Sequence, residues 1–269
     1  MTTSPPSETF QIPLNAAEFY ESAFVPAFFA QWAPILCDAA ELTTGQRVLD
    51  VACGTGIVTR TAADRVAPDG TVVGVDVNES MLTVARRVRP DLDFRQGDAA
   101  ALPFPDGTFD VALCQMALMF FPDRAAALGE MARVTARGGT VAVAVPDAVG
   151  TQVAFALFVA AAARHAGPAA MALLGTYFAC GELADVTALA ESAGLTVVDA
   201  RTHLGTYRAP SVDAFVTTEV ESTPLVERMS AEVYALLRAD AHEVLAPFVE
   251  PDGNVEAPFG TIVVAARRA

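Results

Sequence analysis

The sequence R-V-L-D-V-A-C-G-T-G-I, residues 47–57, starts as an apolar strand and ends in a Gly-x-Gly turn. Further along the chain, V-V-G-V-D has the composition of a second strand and ends at the carboxylate Asp76. An apolar strand, a glycine turn that opens a helix, and a second strand ending in an acid form the pattern of a nucleoside-binding βαβ unit. These residues therefore predict both the fold class and the kind of ligand.

Strand and helix patterns continue to alternate on the C-terminal side of this unit. We predict seven strands, at residues 47–52, 71–76, 93–96, 109–114, 140–145, 196–203 and 260–266. Helices among them are predicted at residues 57–66, 79–88, 123–136 and 182–193. Continuous apolar strands that alternate with helices are typical of a parallel sheet covered on both faces, so we expect a doubly wound, Rossmann-like α/β fold.

Helical patterns also occur outside this alternation. Residues 1–40 carry apolar side chains at helical spacing and are predicted to form an N-terminal helical cap segment. Residues 41–269 form the main domain in this prediction, with helical insertions at about 146–180 and 204–254 that act as a lid. The second insertion is expected to contain helices near residues 212–221 and 230–245.

Composition excludes several classes of partner. The formal net charge is −15 and all 17 basic residues are arginine, so the surface is expected to repel nucleic acid. The apolar stretch at residues 149–163 is too short to span a bilayer, and the first residues lack a secretory signal pattern. The isolated cysteines, Cys37, Cys53, Cys114 and Cys180, have no metal-ligand spacing and suggest a reducing compartment, so we expect a cytoplasmic protein without a metal.

The glycine turn differs from a dinucleotide-binding turn at two positions. Thr59 occupies the place of the third glycine, and Asp50 lies four residues before Gly54. A carboxylate at this strand end would repel a pyrophosphate and attract an ammonium group. The residues therefore favour a nucleoside that carries an amino acid as the ligand.

The ends of the next two strands supply candidate contacts to that nucleoside. Asp76 can accept hydrogen bonds from both ribose hydroxyls, although an acid here is also consistent with a helix cap or turn. Val77 and Met81 would flank an adenine ring, while Asp98 and the Ala99 N–H would meet the edge of that ring.

Taken in order, four motifs of the chain resemble those of class I S-adenosylmethionine-dependent methyltransferases, in particular the ubiquinone/menaquinone-biosynthesis group. They are V-L-D-V-A-C-G-T-G at 48–56, G-V-D-V-N at 74–78, G-D-A-A-A-L-P-F-P-D-G-T-F-D at 97–110 and E-M-A-R-V-T-A-R-G-G at 130–139. The resemblance covers about residues 40–145. It implies a seven-stranded sheet whose last strand is antiparallel, with S-adenosylmethionine as the cofactor over the carboxyl ends of strands one to four.

The resemblance also implies a role for each matched position. Asp50 would lie near the methionyl amino group, Asp76 would bind the ribose, and Val77 with Met81 would enclose the adenine. The remaining implied cofactor contacts are Tyr20, Ala52, Gly54, Gly56, Gly97, Asp98, Ala99 and Gln115.

Residues that contact the methyl acceptor are expected in the stretches after strands four and five. Candidates are Met119, Phe120, Phe155 and Tyr177, although such residues are also typical of an ordinary helical core. The sequence after strand four, which begins at Gln115, lacks the Asp/Asn-Pro-Pro-aromatic motif of enzymes that methylate amino groups of nucleic acids. The acidic and amide ligand set of metal-dependent catechol methyltransferases is also missing.

No residue stands out as a general base. His165, His203 and Tyr177 are candidates, with Tyr207 as a further alternative, because each lies near the expected pocket or at a strand end. Methyl transfer is an in-line displacement, so a base is needed only when the acceptor must lose a proton.

The predicted function is therefore transfer of a methyl group from S-adenosylmethionine to an O, N or C atom of a small, largely apolar metabolite. Two alternatives remain open: a nicotinamide-dependent oxidoreductase on a Rossmann sheet, and a cofactor-binding protein that does not transfer. The only partners we expect are the small-molecule acceptor and a second copy of the chain in a homodimer, with neither nucleic acid nor membrane.

Overall fold

The computed structural model of the protein describes residues 12–221, 225 and 229–269, and a seven-stranded sheet runs through its centre. The strands are β1 Arg47–Val51, β2 Thr71–Asp76, β3 Asp93–Gln96, β4 Phe109–Gln115, β5 Thr135–Pro146, β6 Leu195–Ala209 and β7 Val255–Arg268. Their order is β3-β2-β1-β4-β5-β7-β6. The first five are parallel, and β7 runs antiparallel to both β5 and β6. The predicted fold class is confirmed.

Eleven α-helices are described. They are α1 Leu14–Phe19, α2 Val25–Ala27, α3 Trp32–Ala39, α4 Ile57–Val66, α5 Glu79–Val88, α6 Arg124–Val134, α7 Val153–Ala166, α8 Pro168–Gly175, α9 Leu183–Ser192, α10 Val212–Glu221 and α11 Ala231–Val244. A π-helical turn, Tyr20–Phe24, joins α1 to α2. Short 3₁₀ turns lie at Phe29–Gln31, Leu118–Phe120, Val149–Thr151, Thr176–Phe178 and Ala246–Phe248.

Local side-chain caps set several of these boundaries. The Asn78 side chain accepts hydrogen bonds from the Ser80 and Met81 N–H groups and so begins α5. Asp123 accepts a hydrogen bond from the Ala126 N–H and begins α6 in the same way. Helix α5, which Asn78 caps, has its predicted bounds, and so do α4, β2 and β3.

The strand β5 begins earlier than predicted. Helix α6 ends at Val134, and the next residue, Thr135, has an extended backbone and pairs with Phe109 of β4. The register between the two strands then shifts before Val111 pairs with Thr140, the predicted first residue of the strand. Gly138 and Gly139, which lie between the predicted helix 123–136 and the predicted strand 140–145, are part of this irregular start of the strand.

The long ladder between β6 and β7 also differs from the prediction. It continues from Leu204 opposite Gly260 to Ala209 opposite Val255, a stretch that was expected to lie inside the second helical insertion. Tyr207 and Ala209 are buried whereas Leu204 is exposed, an alternation that is typical of a strand covered on one face. The helices between the two strands therefore begin only after Ala209.

Two side-chain amides fasten the helical segments to this ladder. The Gln31 amide donates to the Thr206 carbonyl at 2.7 Å, and its oxygen accepts from the Thr206 N–H at 3.0 Å. Gln152, at the start of α7, forms the same pair of bonds with the backbone of Gly260 at 2.8 and 2.9 Å. The N-terminal segment and α7 are thereby held over one end of the sheet.

The length and composition of the helices indicate whether any of them could span a membrane. Across residues 12–221 and 229–269, no single helix is both long and apolar enough to span a bilayer. One bent pair, Pro168–Phe178 with Leu183–Ser192, meets those criteria by length and composition alone.

Candidate functional site

A cavity of about 370 Å³ lies at the carboxyl ends of the parallel strands. Its floor consists of residues at or directly after the ends of β1 to β5, namely Ala52, Cys53, Gly54, Asp76, Val77, Gly97, Gln115, Met116 and Pro146. Its roof comes from the N-terminal segment, α7, α8 with the turn after it, α10 and the end of β6. Ligands of open α/β sheets bind in this place, where the strand order reverses between β1 and β4.

The floor contains two non-glycine residues with left-handed backbones. Ala52, after β1, has φ of 56°, and Met116, after β4, has φ of 53°. Both line the cavity, and β1 and β4 are neighbours in the sheet. Backbone strain of about 1–3 kcal/mol per residue is typical of ligand-binding sites.

The two glycines of the turn after β1 have different surroundings. Gly54 lines the cavity, and a Cβ atom there would meet only the Tyr20 ring, at 4.0 Å, so a ligand can lie against its backbone. Gly56 does not line the cavity, because its Cα faces Phe94, and a Cβ there would lie 2.9 Å from that ring. The predicted cofactor contact at Gly56 thus has no support in the geometry, and packing accounts for the glycine.

Asp50 lies under the floor of the cavity and is 1% exposed. The Thr59 hydroxyl donates to Asp50 Oδ2 at 2.6 Å, so the residue in the place of the third glycine holds this carboxylate. Burial raises the pKa of Asp50 to about 7, and the charge of Asp76 adds to that rise. A cationic group of a ligand would favour the ionised form of Asp50.

Asp76 is both a structural and a cavity-lining residue. Its Oδ2 accepts a hydrogen bond from the Gly54 N–H, and its Oδ1 accepts one from the Asn78 N–H, each at 2.8 Å. Burial raises the pKa of this carboxyl, and the backbone N–H donors oppose that rise. Each carboxylate oxygen retains a lone pair for a hydroxyl donor.

Gln115, at the end of β4, has a buried side-chain oxygen that accepts no hydrogen bond from the described residues. Its side-chain amide donates to the Phe29 carbonyl at 3.1 Å. Its Oε1 is buried and has no hydrogen-bond partner among the described residues. Because an unpaired buried acceptor is costly, a donor on a ligand would stabilise this cavity-lining side chain.

The described charged residues that line the cavity are all acidic. Its described lining includes the acids Asp50, Asp76, Asp98 and Glu219, and within that lining there is no lysine, arginine or histidine. Such a cavity favours a cationic or hydroxyl-rich ligand over a pyrophosphate. Within the part of the chain that the structure describes, no cluster of His, Cys, Asp or Glu could hold a metal ion.

The roof and the adjoining walls are mainly aromatic. All four residues predicted to contact the methyl acceptor line the cavity, namely Met119, Phe120, Phe155 and Tyr177. Eight further aromatic residues line the acceptor part of the cavity or its walls, namely Phe24, Phe28, Phe29, Phe121, Phe158, Phe178, Tyr207 and Phe259. Phe120 and Tyr177 meet edge to face with ring centres 5.3 Å apart. A flat apolar ring would find complementary surfaces in this part of the cavity.

Of the candidate bases, Tyr177 and the further alternative Tyr207 line the cavity, whereas the two histidines do not. His165, near the end of α7, lies 2.8 Å from Asp240 of α11 through its Nε2 atom. His203 lies on the edge strand β6 opposite Thr261 and does not reach the cavity. The geometry thus gives no support to a base role for either histidine.

Glu219 is an acidic cavity residue that the sequence prediction missed. It lies on α10, is 6% exposed, and accepts a hydrogen bond from the Tyr207 hydroxyl. Burial raises the pKa of its carboxyl to about 7. The sequence contains a pattern that indicates burial of this side chain, because Glu219 follows Phe215 and Val216 at the helical spacing of the buried face of α10.

The sheet order and the acid-lined cavity at the carboxyl ends together define the class I methyltransferase fold. Consistent with this, residues 49–143 match the family model described as "Methyltransferase domain". Residues 49–143 therefore resemble a methyltransferase domain in sequence, and the cavity floor lies largely within this stretch. The fold is shared with phosphoethanolamine N-methyltransferase 2 of Haemonchus contortus, solved with S-adenosylhomocysteine, at a TM-score of 0.59 and 20% identity over 98% of this chain and 61% of that one.

Two curated relatives add sequence similarity over part of the chain. A demethylmenaquinone methyltransferase of Renibacterium salmoninarum is 44% identical over 114 residues, which are 42% of this chain and 47% of the relative. A nocamycin O-methyltransferase of Saccharothrix syringae is 38% identical over 124 residues, 44% of each chain. The chain spans about half the length of the curated relatives it matches.

Proposed function

We propose that the protein transfers the methyl group of S-adenosylmethionine to a small, largely apolar aromatic metabolite. The observation that carries this proposal is the division of one cavity into two halves. One half is a floor of carboxylates around a glycine turn, and the other is a roof of aromatic rings. A cationic nucleoside fits the first half and a flat acceptor fits the second.

The residues of the floor fit the cofactor group by group. Asp76 has lone pairs for the ribose hydroxyls, and the unpaired Gln115 Oε1 and the Asp50 carboxylate suit the methionyl ammonium group. Val77 and Met81 border the space for the adenine, with Asp98 at its edge. When bound, the cofactor supplies an electrophilic methyl group on a sulfonium.

The roof contributes alignment and exclusion of water. Tyr20, whose ring lies against Phe29 with centres 4.9 Å apart, covers the open side of Gly54. Aromatic side chains on the opposite wall would hold an acceptor ring in the plane that its nucleophile needs. Removal of water and fixed geometry together account for much of the rate of such displacements.

The acceptor atom is left to experiment. The names of the two relatives refer to different acceptors. The aromatic residues that surround the acceptor half of this cavity lie largely outside the stretch matched by the family model. We therefore propose the aromatic class of acceptor, with methylation at oxygen, nitrogen or carbon.

Calorimetry with S-adenosylhomocysteine tests the cofactor half of the proposal. We expect binding in the micromolar range, and no binding of NAD⁺ or NADP⁺, because the floor offers acids instead of phosphate-binding groups. Binding of a nicotinamide dinucleotide without binding of S-adenosylhomocysteine would establish the oxidoreductase alternative.

A transfer assay tests the activity itself. Labelled S-adenosylmethionine is incubated with a panel of naphthols, hydroquinones and aromatic amines, and methylated products are separated by mass. Incorporation into at least one aromatic acceptor is expected. If the cofactor binds but no member of the panel is methylated, the protein is better described as a cofactor-binding protein.

A further inference from the structure

The two edge strands of the sheet, β3 and β6, carry the same short pattern of charges. Asp93 and Arg95 lie two residues apart on β3, and Asp199 and Arg201 lie two residues apart on β6, each pair joined by an ion pair of 2.6 Å. We propose that the edge of β6 is an interaction surface for a second copy of this chain. The two β6 strands pair antiparallel about a two-fold axis at Ala200.

The backbone of β6 shows which residues face away from β7. Thr206 lies opposite Pro258, which has no N–H, and both backbone groups of Thr206 bond instead to the Gln31 amide. In an antiparallel ladder, outward-facing residues recur at every second position. The register with β7 is unbroken from Thr206 back to residue 199. The residues that direct N–H and C=O groups outward are therefore Thr206, Leu204, Thr202 and Ala200.

Side chains cover the edge of β3 but leave part of the edge of β6 open. On β3, the carbonyl of Phe94, between the two charges, accepts hydrogen bonds from the Arg86 guanidinium at 3.0 and 3.3 Å. On β6, no described side chain bonds to the outward groups of Ala200, Thr202 or Leu204, and Leu204 is 79% exposed. Because unpaired edge groups are a template for another strand, this part of β6 is open to association.

Charge selects one register for the second strand. With the axis at Ala200, Asp199 of each copy lies opposite Arg201 of the other. Neither residue exchanges hydrogen bonds across this pairing, and side chains approach most closely at such positions. An axis at Arg201 would place two like charges opposite each other, and an axis at Thr202 would place Arg201 opposite His203. The axis at Ala200 therefore pairs each acid with a base, and the two-fold symmetry forms this pair twice.

The proposed contact is small. The register of β6 shifts between Val197 and Asp199, and a bulge of this kind interrupts regular pairing on that side. Small interfaces are typical of weak association, and a net charge of −15 on each copy opposes it further. At about 0.15 M salt, however, the screening length is about 8 Å, so long-range repulsion is reduced while charges in contact still interact. We therefore expect a dimer that forms at micromolar concentrations.

Sedimentation equilibrium at about 0.15 M salt measures the association constant. The wild type should dimerise as its concentration rises from about 1 to 500 µM. Asp199→Arg should weaken association at least about tenfold, because two attractive pairs become repulsive. The double variant with Asp199→Arg and Arg201→Asp should restore association to within about threefold of the wild type.

Asp93→Arg is the matched control, because it makes the same change on the covered edge of β3. It should leave the association constant unchanged. Both single variants reduce the net negative charge equally, so a general effect of charge would act on both alike. A wild type that stays monomeric over the whole range, or equal effects of the two variants, would overturn the proposal.

Ala200→Pro tests the backbone contact. It removes an outward N–H without removing a hydrogen bond to β7, a position at which an edge strand tolerates proline. Association should be lost, while cooperative thermal unfolding shows that the variant is folded. A folded variant that dimerises like the wild type would contradict pairing through this edge.

Cysteine cross-linking tests the position of the axis and does not depend on the proline variant. The two Ala200 Cα atoms would lie about 5.5 Å apart across the axis, within the range of a disulfide, whereas the two Leu204 Cα atoms would lie about 27 Å apart. Ala200→Cys should therefore form a linked dimer under mild oxidation, and the more exposed Leu204→Cys should not. The four native cysteines are buried.

Equal cross-linking of the two cysteine variants, or of neither, would refute the register about Ala200. None of these measurements involves S-adenosylmethionine or a methyl acceptor. Their outcome is therefore independent of the proposed function.

Discussion

Asp76 combines two tasks that the sequence presents as alternatives. A carboxylate at this strand end is consistent with either a ribose contact or a cap, and in the structure its oxygens accept backbone N–H groups while the side chain also lines the cavity. The bond to the Gly54 N–H joins the acid to the glycine turn. Loss of the carboxylate would therefore affect both the ligand and the loop.

Asp76→Ala should weaken S-adenosylhomocysteine binding by about 2–4 kcal/mol, because at least two charge-assisted hydrogen bonds are removed. Calorimetry provides the measurement. Asp64→Ala, whose exposed side chain lies on α4, is the control and should bind normally. Unchanged affinity in Asp76→Ala would show that the ribose lies elsewhere.

The two turn glycines provide a matched pair of variants. Gly56→Ala should destabilise the protein by about 1–3 kcal/mol, because the new methyl group would lie 2.9 Å from the Phe94 ring. Both glycines have left-handed backbones, with φ of 55° and 88°, which strain an alanine at either position by about 1–2 kcal/mol. Gly54→Ala adds no steric contact to that strain, so it should be less destabilised than Gly56→Ala and should lose more ligand affinity. Thermal unfolding and calorimetry measured side by side check this. Greater destabilisation by Gly54→Ala, together with a larger loss of ligand affinity in Gly56→Ala, would contradict the roles given to the two glycines.

Single residues could be predicted from the sequence where the motif is local. Asp50, Gly54 and Asp76 lie within short, ordered motifs, and all three line the cavity. Glu219 reaches the same cavity from α10, more than 140 residues beyond Asp76 in the chain. No local pattern relates it to the glycine turn, so only the folded chain shows its position.

At the scale of elements, prediction was accurate where a boundary depends on nearby residues. Helix α5 has its predicted bounds because Asn78 caps it within three residues. The extension of β6 to Ala209 depends on pairing with Val255, which is distant in the chain. Pairing of that kind cannot be read from the strand alone. The division into a cap of residues 1–40 and a main domain stays a prediction.

The contact between the N-terminal segment and β6 can be tested by one side chain. Gln31→Ala should lower the free energy of unfolding by about 1–3 kcal/mol, because both backbone groups of Thr206 lose their bonds to the Gln31 amide. Hydrogen exchange at Thr206 should accelerate in parallel. Gln46→Ala removes only a bond to the nearby Thr43 N–H and is the control. Equal effects of the two variants would contradict this.

At the scale of the whole molecule, buried acids predict an unusual pH dependence for the ligand-free protein. Asp50 and Glu219 have pKa values of about 7 in the folded state, whereas carboxyls of an unfolded chain titrate near pH 4. Between these values the unfolded chain is ionised and the folded protein retains the protons, so stability falls as pH rises. Above about pH 7 both states are ionised and this contribution is constant.

Chemical unfolding at pH 5 and pH 8 measures that dependence. The wild type should lose about 3–5 kcal/mol of stability between these values, because each of the two carboxyls contributes about 1.4 kcal/mol per pH unit below its folded pKa. The variant with both Asp50→Asn and Glu219→Gln should lose much less, since neither replaced group titrates. A wild type that is equally stable at both pH values would show that these carboxyls are ionised in the folded protein.

The division of the cavity between a floor and a roof also bears on ancestry. The segment matched by the family model, residues 49–143, contains the floor acids Asp50, Asp76 and Asp98, whereas Tyr20, Tyr177 and Glu219 lie on either side of it. The family match therefore includes the half of the cavity that we propose binds the methyl donor, and it leaves out the flanking segments. Exchange of residues 146–254 between this chain and a relative should then transfer acceptor preference along with the roof.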